Sequence, residues 1–473
     1  MGIKFGTDGW RAVMAEDFTF YNVEKVIQGI SNFLNTHEKE GTEIVIGYDN
    51  RFLSPEFAVR AAEVLAGNGF KPVIGEKPMP TPVTAFAVVE EQADGALMFT
   101  ASHNPPEYNG VKFIPDYGGP ALPDTTAAIE AEVEKITHTD KIRKKSYQEC
   151  EEEGLLRVVA PGEKYLRHLR ELIEEDIIQN ASLKVAIDPM FGVGIGYLEQ
   201  LLTELGCQVK VIHNYRDPLF GGKMPEPSDN VLAELKELVT SEQLDVGLAM
   251  DGDADRFGII DKDGSFINAN QVLSLIYYHL LEKGIYGPVT KTVSTTQMLN
   301  RIAAGYQQET FETPVGFKYI AKNLMEAGCI LGGEESGGLS IQGHIPEKDG
   351  ILACLLVVEV LAAKDGRSSL KTLMEQIYQE YGYLVNERLD IRTSSLVKET
   401  VLNKLKEWRP DKLGDKNVVE HSTLDGLKLH FEDGSWALIR PSGTEPLFRI
   451  YCETNSSEEL RTIQKAVRQT LSI

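Results

Sequence analysis

Glu43-Ile-Val-Ile-Gly-Tyr48 is a β-branched apolar run, and residues 55–66 after it repeat apolar side chains at threes and fours. The same succession of strand-like and helical patterns starts again at Leu183-Lys-Val-Ala-Ile-Asp188 and Thr290-Lys-Thr-Val-Ser294. Strands that alternate with helices build βαβ units around parallel or mixed sheets. The sequence therefore predicts an α/β fold.

The chain is too long for a single core, because its 473 residues exceed the roughly 100 to 200 of an ordinary domain. An acidic run, Glu149-Cys-Glu-Glu-Glu-Gly154, has the composition of a solvated linker, and turn signals follow at 261–264 and near Gly382. Further helical patterns lie at 164–174, 270–281 and 350–363. We predict four domains, at residues 1–158, 159–263, 264–380 and 381–473.

The composition limits the classes of function. The chain has 71 acidic against 48 basic residues, a formal net charge of −23, and would repel nucleic acid. The five cysteines are scattered without metal-ligand spacing, and the longest apolar stretch, 351–363, is too short for a membrane span and contains Glu359. We expect a cytoplasmic protein with no nucleic-acid or membrane partner.

A polar, turn-forming segment follows the strand-like stretch 95–99 and reads Thr100-Ala-Ser-His-Asn-Pro-Pro-Glu-Tyr-Asn-Gly-Val-Lys112. Ligands of α/β proteins bind at the carboxyl ends of strands, so this segment predicts an exposed hydroxyl on Ser102. A serine nucleophile needs help, and His103 and Lys112 can move a proton or hold a phosphoryl oxygen. On these residues alone, a plain Asn-Pro turn with a surface serine and histidine is an equal alternative.

Three aspartates follow the apolar run 246–250, in the segment Asp251-Gly-Asp-Ala-Asp-Arg-Phe-Gly258. Alternate carboxylates on a tight loop turn inward and offer a hard divalent cation the oxygen ligands that it prefers. An EF-hand calcium loop is excluded, because its sixth and twelfth positions would be Arg256 and Lys262 instead of Gly and Glu. The segment predicts a magnesium site, with Arg256 beside it for a phosphoryl oxygen.

A glycine-rich segment suits a sugar, and it reads Leu331-Gly-Gly-Glu-Glu-Ser-Gly-Gly338. Glycines let a ligand approach the backbone, and Glu334 and Ser336 offer hydrogen bonds to hydroxyl groups. Taken alone, this segment is better explained by a plain turn.

A second segment suits an anion, and it reads Arg440-Pro-Ser-Gly-Thr-Glu-Pro-Leu-Phe-Arg449. Hydroxyl and backbone N–H groups of Ser442, Gly443 and Thr444, flanked by the two arginines, predict a nest for a phosphate. A solvated turn with two incidental arginines is the less favoured alternative. The chain has neither a Walker phosphate loop nor a complete dinucleotide fingerprint. We therefore expect the phosphoryl group to come from the substrate or the enzyme itself, and not from ATP.

In this order, the four segments resemble the α-D-phosphohexomutase superfamily, which includes phosphoglucomutase, phosphomannomutase and phosphoglucosamine mutase. The opening Phe5-Gly-Thr-Asp-Gly-Trp-Arg11 is similar to that family's N-terminal signature. The resemblance implies four domains around a central cleft: three similar mixed α/β domains and a C-terminal α+β domain like the TATA-box-binding protein. It also implies a magnesium-dependent isomerase that transfers a phosphoryl group through a phosphoserine and a hexose 1,6-bisphosphate.

The resemblance also implies a role for each group of residues. The metal ligands would be Ser102, Asp251, Asp253 and Asp255, with Ser102 as the phosphorylated serine. The catalytic residues around them would include Arg11, His103, Lys112 and Arg256. The sugar would be bound by Glu334 and Ser336, and its nonreacting phosphate by Arg440, Ser442, Gly443, Thr444 and Arg449. The partners would be small hexose phosphates, and the protein a monomer or homodimer.

Two features favour glucose phosphate as substrate. Many bacterial phosphomannomutase or phosphoglucosamine mutase members carry His where this chain has Gly338. The stretches Thr313-Pro-Val-Gly-Phe-Lys318 and His344-Ile-Pro-Glu-Lys-Asp-Gly350 resemble the glucose-directed branch, which implies Lys318 as a candidate general acid or base and Lys348 as a substrate-binding residue. The expected reaction interconverts glucose 1-phosphate and glucose 6-phosphate, with glucose 1,6-bisphosphate as primer and mannose phosphates as further candidates.

Three alternatives stay open at the level of sequence. A glucose 1,6-bisphosphate synthase on the same scaffold would use a separate phosphoryl donor and release the bisphosphate. A noncatalytic sugar phosphate sensor would keep the Glu334 and Arg440 loops but would not need Ser102 with three aspartates. A phosphatase is disfavoured, because a mutase must keep water from its phosphoserine.

Overall fold

The computed structural model describes residues 3–6, 8–37, 39, 41–138, 141–364, 366, 368–441 and 447–471. Within this part of the chain, four sheets follow one another in sequence order and helices pack against them. The α/β class that the alternating patterns predict is therefore confirmed.

The first sheet is covered on both faces. Its strand order is β1-β5-β4-β2-β3-β6, with only β5 antiparallel to its two neighbours. Alternate residues of the second strand enter different cores, Val45 on one side and Ile44 and Ile46 on the other, as a strand buried on both faces requires. The elements are β1 (Trp10–Val13), α1 (Phe20–Thr36), β2 (Glu43–Tyr48), α2 (Ser54–Gly67), β3 (Lys71–Gly75), α3 (Thr81–Glu90), β4 (Gly95–Phe99), β5 (Tyr108–Pro115), α4 (Pro123–Glu134), α5 (Tyr147–Glu152) and β6 (Arg157–Val159).

The second sheet combines three parallel strands with an antiparallel hairpin. The elements are α6 (Gly162–Glu171), α7 (Glu175–Ala181), β7 (Lys184–Asp188), α8 (Leu198–Glu204), β8 (Gln208–Val211), α9 (Ala233–Ser241), β9 (Val246–Met250), β10 (Phe257–Asp261) and β11 (Phe266–Ile267). The strand order is β11-β10-β9-β7-β8, and β9 to β10 is the connection that carries the three aspartates. The predicted strand before the acidic loop is therefore confirmed.

The third sheet has four strands in the order β13-β12-β14-β15. The elements are α10 (Ala269–Glu282), β12 (Val289–Thr292), α11 (Met298–Gly305), β13 (Thr310–Thr313), α12 (Phe317–Glu326), β14 (Leu331–Gly333), β15 (Leu339–Ile341), α13 (Gly350–Ala362) and α14 (Leu370–Tyr381). Every residue of α13 is buried, because the helix packs on β15 and also on β9 and β10 of the second sheet. This helix joins the second and third units into one core.

The fourth sheet is fully antiparallel, in the order β16-β21-β20-β19-β18-β17. The elements are β16 (Val385–Arg392), α15 (Ser395–Glu407), β17 (Lys412–Leu413), β18 (Lys416–Ser422), β19 (Leu427–Phe431), β20 (Trp436–Pro441), β21 (Leu447–Thr454) and α16 (Ser457–Leu471). Both helices contribute to a core with this sheet. A second, smaller cluster joins Trp436, Leu438 and Tyr451 to Val293 of the third unit. The expected α+β domain is confirmed.

Two details of the sequence analysis change. The acidic run at 149–154, expected to be a linker, is largely helical, because Ser146 and Glu149 form a capping box that starts α5. The predicted domain limits stay predictions. Since β6 completes the first sheet at Val159 and β11 completes the second at Ile267, we propose that the first two domains extend to these residues.

Among the described helices, none has the length and apolar character needed to cross a membrane.

Candidate active site

Ser102 lies in the loop between β4 and β5, at the carboxyl end of a central strand. Its backbone is left-handed, with a φ of 51°, which costs a non-glycine residue roughly 1 kcal/mol. The Thr100 hydroxyl supports this turn by accepting the Ser102 N–H at 2.8 Å. The prediction of an exposed hydroxyl is wrong, since only 1% of Ser102 is exposed, and the acidic loop of the second sheet packs against it.

Arg51 holds the Ser102 loop in shape. Its two terminal nitrogens donate to four backbone carbonyls between residues 102 and 108, at 2.6 to 3.1 Å. Its Nε donates to Asp49 Oδ2 at 3.1 Å, and both side chains are fully buried. This pair is not among the site residues predicted from the sequence. Its position directly after β2, at the same sheet edge as Ser102, is the signal that could have indicated it.

The acidic loop contacts Ser102 directly, and its aspartates are all buried. Asp251 Oδ2 accepts the Ser102 Oγ–H at 2.8 Å, although the two residues are 149 positions apart. Asp251 Oδ1 accepts the backbone N–H groups of Asp255 and Arg256, each at 3.0 Å. Burial raises the pKa of Asp251 well above its ordinary value, and the neighbouring charges of Asp253 and Asp255 raise it further. The structure thus brings two of the predicted segments together.

Gly252 permits this contact. A Cβ at position 252 would lie 2.8 Å from the Ser102 carbonyl oxygen and 3.1 Å from Pro225 Cγ. A larger residue would separate the two loops, so the close approach of the backbones requires glycine here.

The three carboxylates fit a divalent cation. One ligand oxygen from each lies within 4.8 Å of the other two. Asp253 Oδ1 and Asp255 Oδ1 are buried and have no hydrogen-bond partner in the described part of the chain, which is unfavourable for a carboxylate oxygen unless another group binds it. Carboxylate oxygens are the ligands that Mg²⁺ prefers. The residues present therefore suit the predicted magnesium site.

Two buried lysines balance the charge of the acidic loop. Lys112 Nζ lies 2.9 Å from both Asp253 Oδ2 and Asp255 Oδ2, and Lys348 Nζ lies 3.4 Å from the same Asp255 oxygen. Asp8 Oδ2 joins the two ammonium groups, at 3.0 Å from Lys112 and 3.2 Å from Lys348. Asp8 is not among the predicted site residues, although it lies within the N-terminal signature.

The pKa values separate the candidates for proton transfer. Burial alone would lower the pKa of Lys112, but the nearby carboxylates outweigh it and raise the pKa above its ordinary value. Burial lowers the pKa of His103 well below its ordinary value, so the imidazole is neutral, with Nδ1 3.2 Å from Ser102 Oγ. Burial also lowers the pKa of Lys318. Lys112 is thus a fixed positive charge, whereas His103 and Lys318 are shifted toward their unprotonated forms.

Two of the predicted arginines join this cluster. Arg11 Nη1 donates to Asn104 Oδ1 at 3.0 Å, which places it on the Ser102 loop. Arg256 Nε is buried, 3.9 Å from Asp255 Oδ1, with no hydrogen-bond partner among the described residues. Lys318 is in the first turn of α12, and no contact recorded for the described residues joins it to Ser102.

The predicted sugar-binding residues, Glu334 and the half-buried Ser336, lie in the turn between β14 and β15. Glu334 Oε1 accepts the Gly316 N–H at 3.1 Å, and burial raises the pKa of Glu334 to about 7. A Cβ at position 338 would lie 2.7 Å from Lys348 Cδ. Lys348 therefore occupies the space that a larger residue at 338 would need.

Arg440 and Arg449 are cross-strand partners on β20 and β21. Arg440 Nε donates to Asp425 Oδ2 at 2.8 Å, and Arg449 Nε is buried without a hydrogen-bond partner in the described chain. The three predicted residues between them, Ser442, Gly443 and Thr444, lie outside the described residues. The two arginines thus flank the segment predicted to bind phosphate.

Several known proteins are similar to this chain over nearly its whole length. A phosphoglucomutase/phosphomannomutase of Thermococcus kodakarensis is 30% identical over 461 residues, which cover 98% of this chain and 96% of the relative. A relative from Pyrococcus abyssi, named as a phosphoglucosamine mutase, is 32% identical over 465 residues, which cover 98% of this chain and 97% of the relative. A crystal structure named as a phosphomannomutase, from Thermus thermophilus, has a TM-score of 0.86 and 32% identity, with 100% of both chains covered.

Family profiles agree with these similarities. The four domain profiles of the phosphoglucomutase/phosphomannomutase family match successive stretches of this chain. They are α/β/α domain I at 2–140, domain II at 163–264, domain III at 268–381 and the C-terminal domain at 397–470. The chain belongs to this family. Membership in the phosphoglucomutase/phosphomannomutase family makes it an intramolecular phosphotransferase, so the predicted enzyme class and the suspected resemblance are confirmed.

Replacing Glu334 with glutamine is expected to change how the stability of this mutase depends on pH. A carboxyl group whose pKa is raised from 4.5 to about 7 on folding binds its proton more tightly in the folded state. The free energy of unfolding therefore falls as the pH rises through this interval. Glu334→Gln removes this fall, because glutamine does not titrate. When the pH is raised from about 5 to about 8, the unfolding free energy of the variant should increase by about 2 kcal/mol relative to that of wild type.

Calorimetric unfolding temperatures at the two pH values measure this gain. Glu326→Gln, at the exposed end of α12, is the matched control and should show no such gain. A Glu334→Gln variant that tracks wild type at both pH values would contradict the raised pKa.

Proposed function

We propose that the enzyme interconverts glucose 1-phosphate and glucose 6-phosphate through a phosphoserine at Ser102 and a glucose 1,6-bisphosphate intermediate that also primes it. The observation that carries this proposal is the hydrogen bond from Ser102 Oγ to Asp251 Oδ2 at 2.8 Å, beside two further buried aspartates. A hydroxyl in this position can accept a phosphoryl group next to three potential metal ligands.

The aspartates would hold Mg²⁺, which when bound neutralises charge on a phosphoryl group in transfer. Lys112 supports the same loop, because its ammonium lies 2.9 Å from the Oδ2 atoms of Asp253 and Asp255. The buried Nε of Arg256 has no hydrogen-bond partner in the part of the chain that the structure describes, and it suits a phosphoryl oxygen. His103, neutral and 3.2 Å from Ser102 Oγ, is placed to take the hydroxyl proton when the serine is phosphorylated again.

Burial of Ser102 favours a mutase over a phosphatase. Only 1% of the residue is exposed, and the contact with Asp251 covers its hydroxyl. A phosphoryl group at this place is kept from bulk water until a sugar hydroxyl replaces it. Arg449 Nε, which has no hydrogen-bond partner among the described residues, supports binding of the nonreacting phosphate in the fourth domain.

Glucose is the sugar that we propose, and mannose and glucosamine are its competitors, since the relatives carry phosphomannomutase and phosphoglucosamine mutase names. The position of Lys348 supports glucose, because it fills the space beside Gly338 where many mannose- and glucosamine-directed members carry histidine. The test compares kcat/KM for the three sugar 1-phosphates, with Mg²⁺ and a trace of the matching 1,6-bisphosphate. A higher value for mannose or glucosamine 1-phosphate would overturn the sugar assignment.

The same assay distinguishes a bisphosphate synthase. A mutase converts its monophosphate without net release of bisphosphate, whereas a synthase accumulates glucose 1,6-bisphosphate in proportion to an added donor such as 1,3-bisphosphoglycerate. Donor-dependent accumulation without monophosphate interconversion would replace the mutase proposal.

Replacing Asp253 with asparagine is expected to weaken the use of magnesium. The change removes one charge from the three carboxylates, so the Mg²⁺ concentration for half-maximal activity should rise at least about tenfold. Titration of activity with MgCl₂ measures the shift. Asp263→Asn, in the exposed turn after β10, should leave the midpoint unchanged. An unshifted midpoint in Asp253→Asn would show that the metal does not bind at this loop.

A further inference from the structure

Asp425 lies in the turn before β19, outside the segments that the sequence analysis singled out. Its Oδ2 accepts two hydrogen bonds, from Arg440 Nε at 2.8 Å and from the Val315 N–H at 3.0 Å. Val315 belongs to the third unit, in the loop between β13 and α12, whereas Asp425 and Arg440 belong to the fourth. One carboxylate oxygen therefore connects the proposed phosphate-binding arginine to a different unit.

The contact uses only one edge of the guanidinium. Arginine carries five N–H groups, and four of them are on the terminal nitrogens that pair with a phosphate in bidentate fashion. Asp425 engages Nε and so restrains the Arg440 side chain without using those four groups. The pair is only partly exposed, 15% for Arg440 and 24% for Asp425, so solvent screens it incompletely.

The same loop also contacts the proposed sugar-binding residue. Gly316 follows Val315, and its N–H donates to Glu334 Oε1 at 3.1 Å. Consecutive N–H groups therefore bind Asp425 on one side and Glu334 on the other. Only the φ and ψ angles of Val315 separate the two N–H groups, so a shift of one limits where the other can lie, and the positions of the two carboxylates are linked.

The two units are also held together by contacts that do not involve Asp425. Lys428 Nζ donates to the Val293 carbonyl at 2.8 Å, and the Gln297 N–H donates to Glu453 Oε1 at 2.7 Å. Lys428 and Glu453 are fully buried. A substitution at Asp425 should therefore leave the fold and the interface in place.

We propose that Asp425 is a positioning residue, which orients Arg440 toward the substrate's nonreacting phosphate and couples phosphate binding to the sugar-binding Glu334. This inference rests on the phosphate and sugar roles given to those two residues under the proposed function. Asp425 touches no reacting atom, but through Arg440 and Glu334 it takes part in binding both the phosphate and the sugar of the substrate.

Asp425→Asn tests the proposal with little change of shape. Loss of the negative charge weakens both hydrogen bonds, so KM for the hexose 1-phosphate that wild type converts fastest should rise about tenfold. Because the residue acts in binding, kcat should change by less than about threefold. Asp433→Asn is the matched control, since the exposed Asp433 lies in the same domain and pairs with Lys416. An unchanged KM, an equal rise in the control, or a fall in kcat at constant KM would overturn the proposal.

Hydrogen exchange separates this inference from the proposed function, because it needs no turnover. In the unliganded Asp425→Asn variant, the Val315 and Gly316 amides should exchange about tenfold faster than in wild type or Asp433→Asn. Unchanged exchange would overturn the link even in an active mutase. Faster exchange in a protein that converts no hexose phosphate would instead preserve the link and overturn the proposed function.

Discussion

Ser102→Ala is expected to lose at least about 10⁴-fold in mutase turnover, because the substitution removes the atom that accepts the phosphoryl group. Binding of glucose 6-phosphate should be largely kept, since the proposed sugar and phosphate contacts lie in the third and fourth units. Coupled-assay kinetics measure turnover, and titration calorimetry measures binding. Mass spectrometry of wild type after incubation with glucose 1,6-bisphosphate should locate a phosphate on Ser102.

Ser182→Ala is a matched control for this variant. Ser182 has the same φ of 51° as Ser102, but it is exposed at the end of α7. Alanine in a left-handed turn therefore affects both backbones alike, and only Ser102→Ala should lose turnover. Turnover within about tenfold of wild type in Ser102→Ala would remove the serine from the reaction.

Lys112→Met is expected to lose both activity and stability. The ammonium is buried among Asp8, Asp253 and Asp255, all within 3.0 Å, so methionine would leave three carboxylates without their shared positive charge. Removing one partner from a buried ionic cluster costs about 3 to 5 kcal/mol of stability. Loss of charge beside the transferring phosphoryl group should lower kcat about 10³-fold.

Unfolding temperature and kcat, both measured at saturating Mg²⁺, test this pair of effects. Lys71→Met, at the exposed start of β3 in the same sheet, is the control and should change neither quantity. A Lys112→Met variant with wild-type stability would mean that the carboxylates do not depend on this lysine for their charge balance.

Local patterns in the sequence predict much of the fold. The strand-like runs 43–48, 95–99 and 246–250 coincide with β2, β4 and β9, and the helical pattern at 350–363 coincides with α13 to within one residue. These elements are predictable because a strand buried on both faces is a continuous apolar run, and helices repeat apolar residues at a fixed period. The helix at the acidic run 149–154 was not predicted, because the start of α5 depends on a hydrogen-bonded cap more than on apolar periodicity.

Only part of the site can be read in the same way. Ser102, the aspartates and Glu334 stand out because each lies in the loop after a strand and carries a reactive or ligand-binding group. Asp8 and Asp425 give no such signal, since a single charged residue in a loop is common. Their importance depends on partners far away in sequence, such as the 340 positions between Asp8 and Lys348.

The sequence by itself determined the class of fold, the order of the chemical segments and the kind of chemistry that they support. The tertiary structure alone decided that Ser102 is buried against Asp251, that Lys112 is a fixed charge and that Asp425 links two units. The reason is physical: secondary structure follows from neighbouring residues, whereas burial, hydrogen bonds and pKa values depend on distances between segments that only folding brings together.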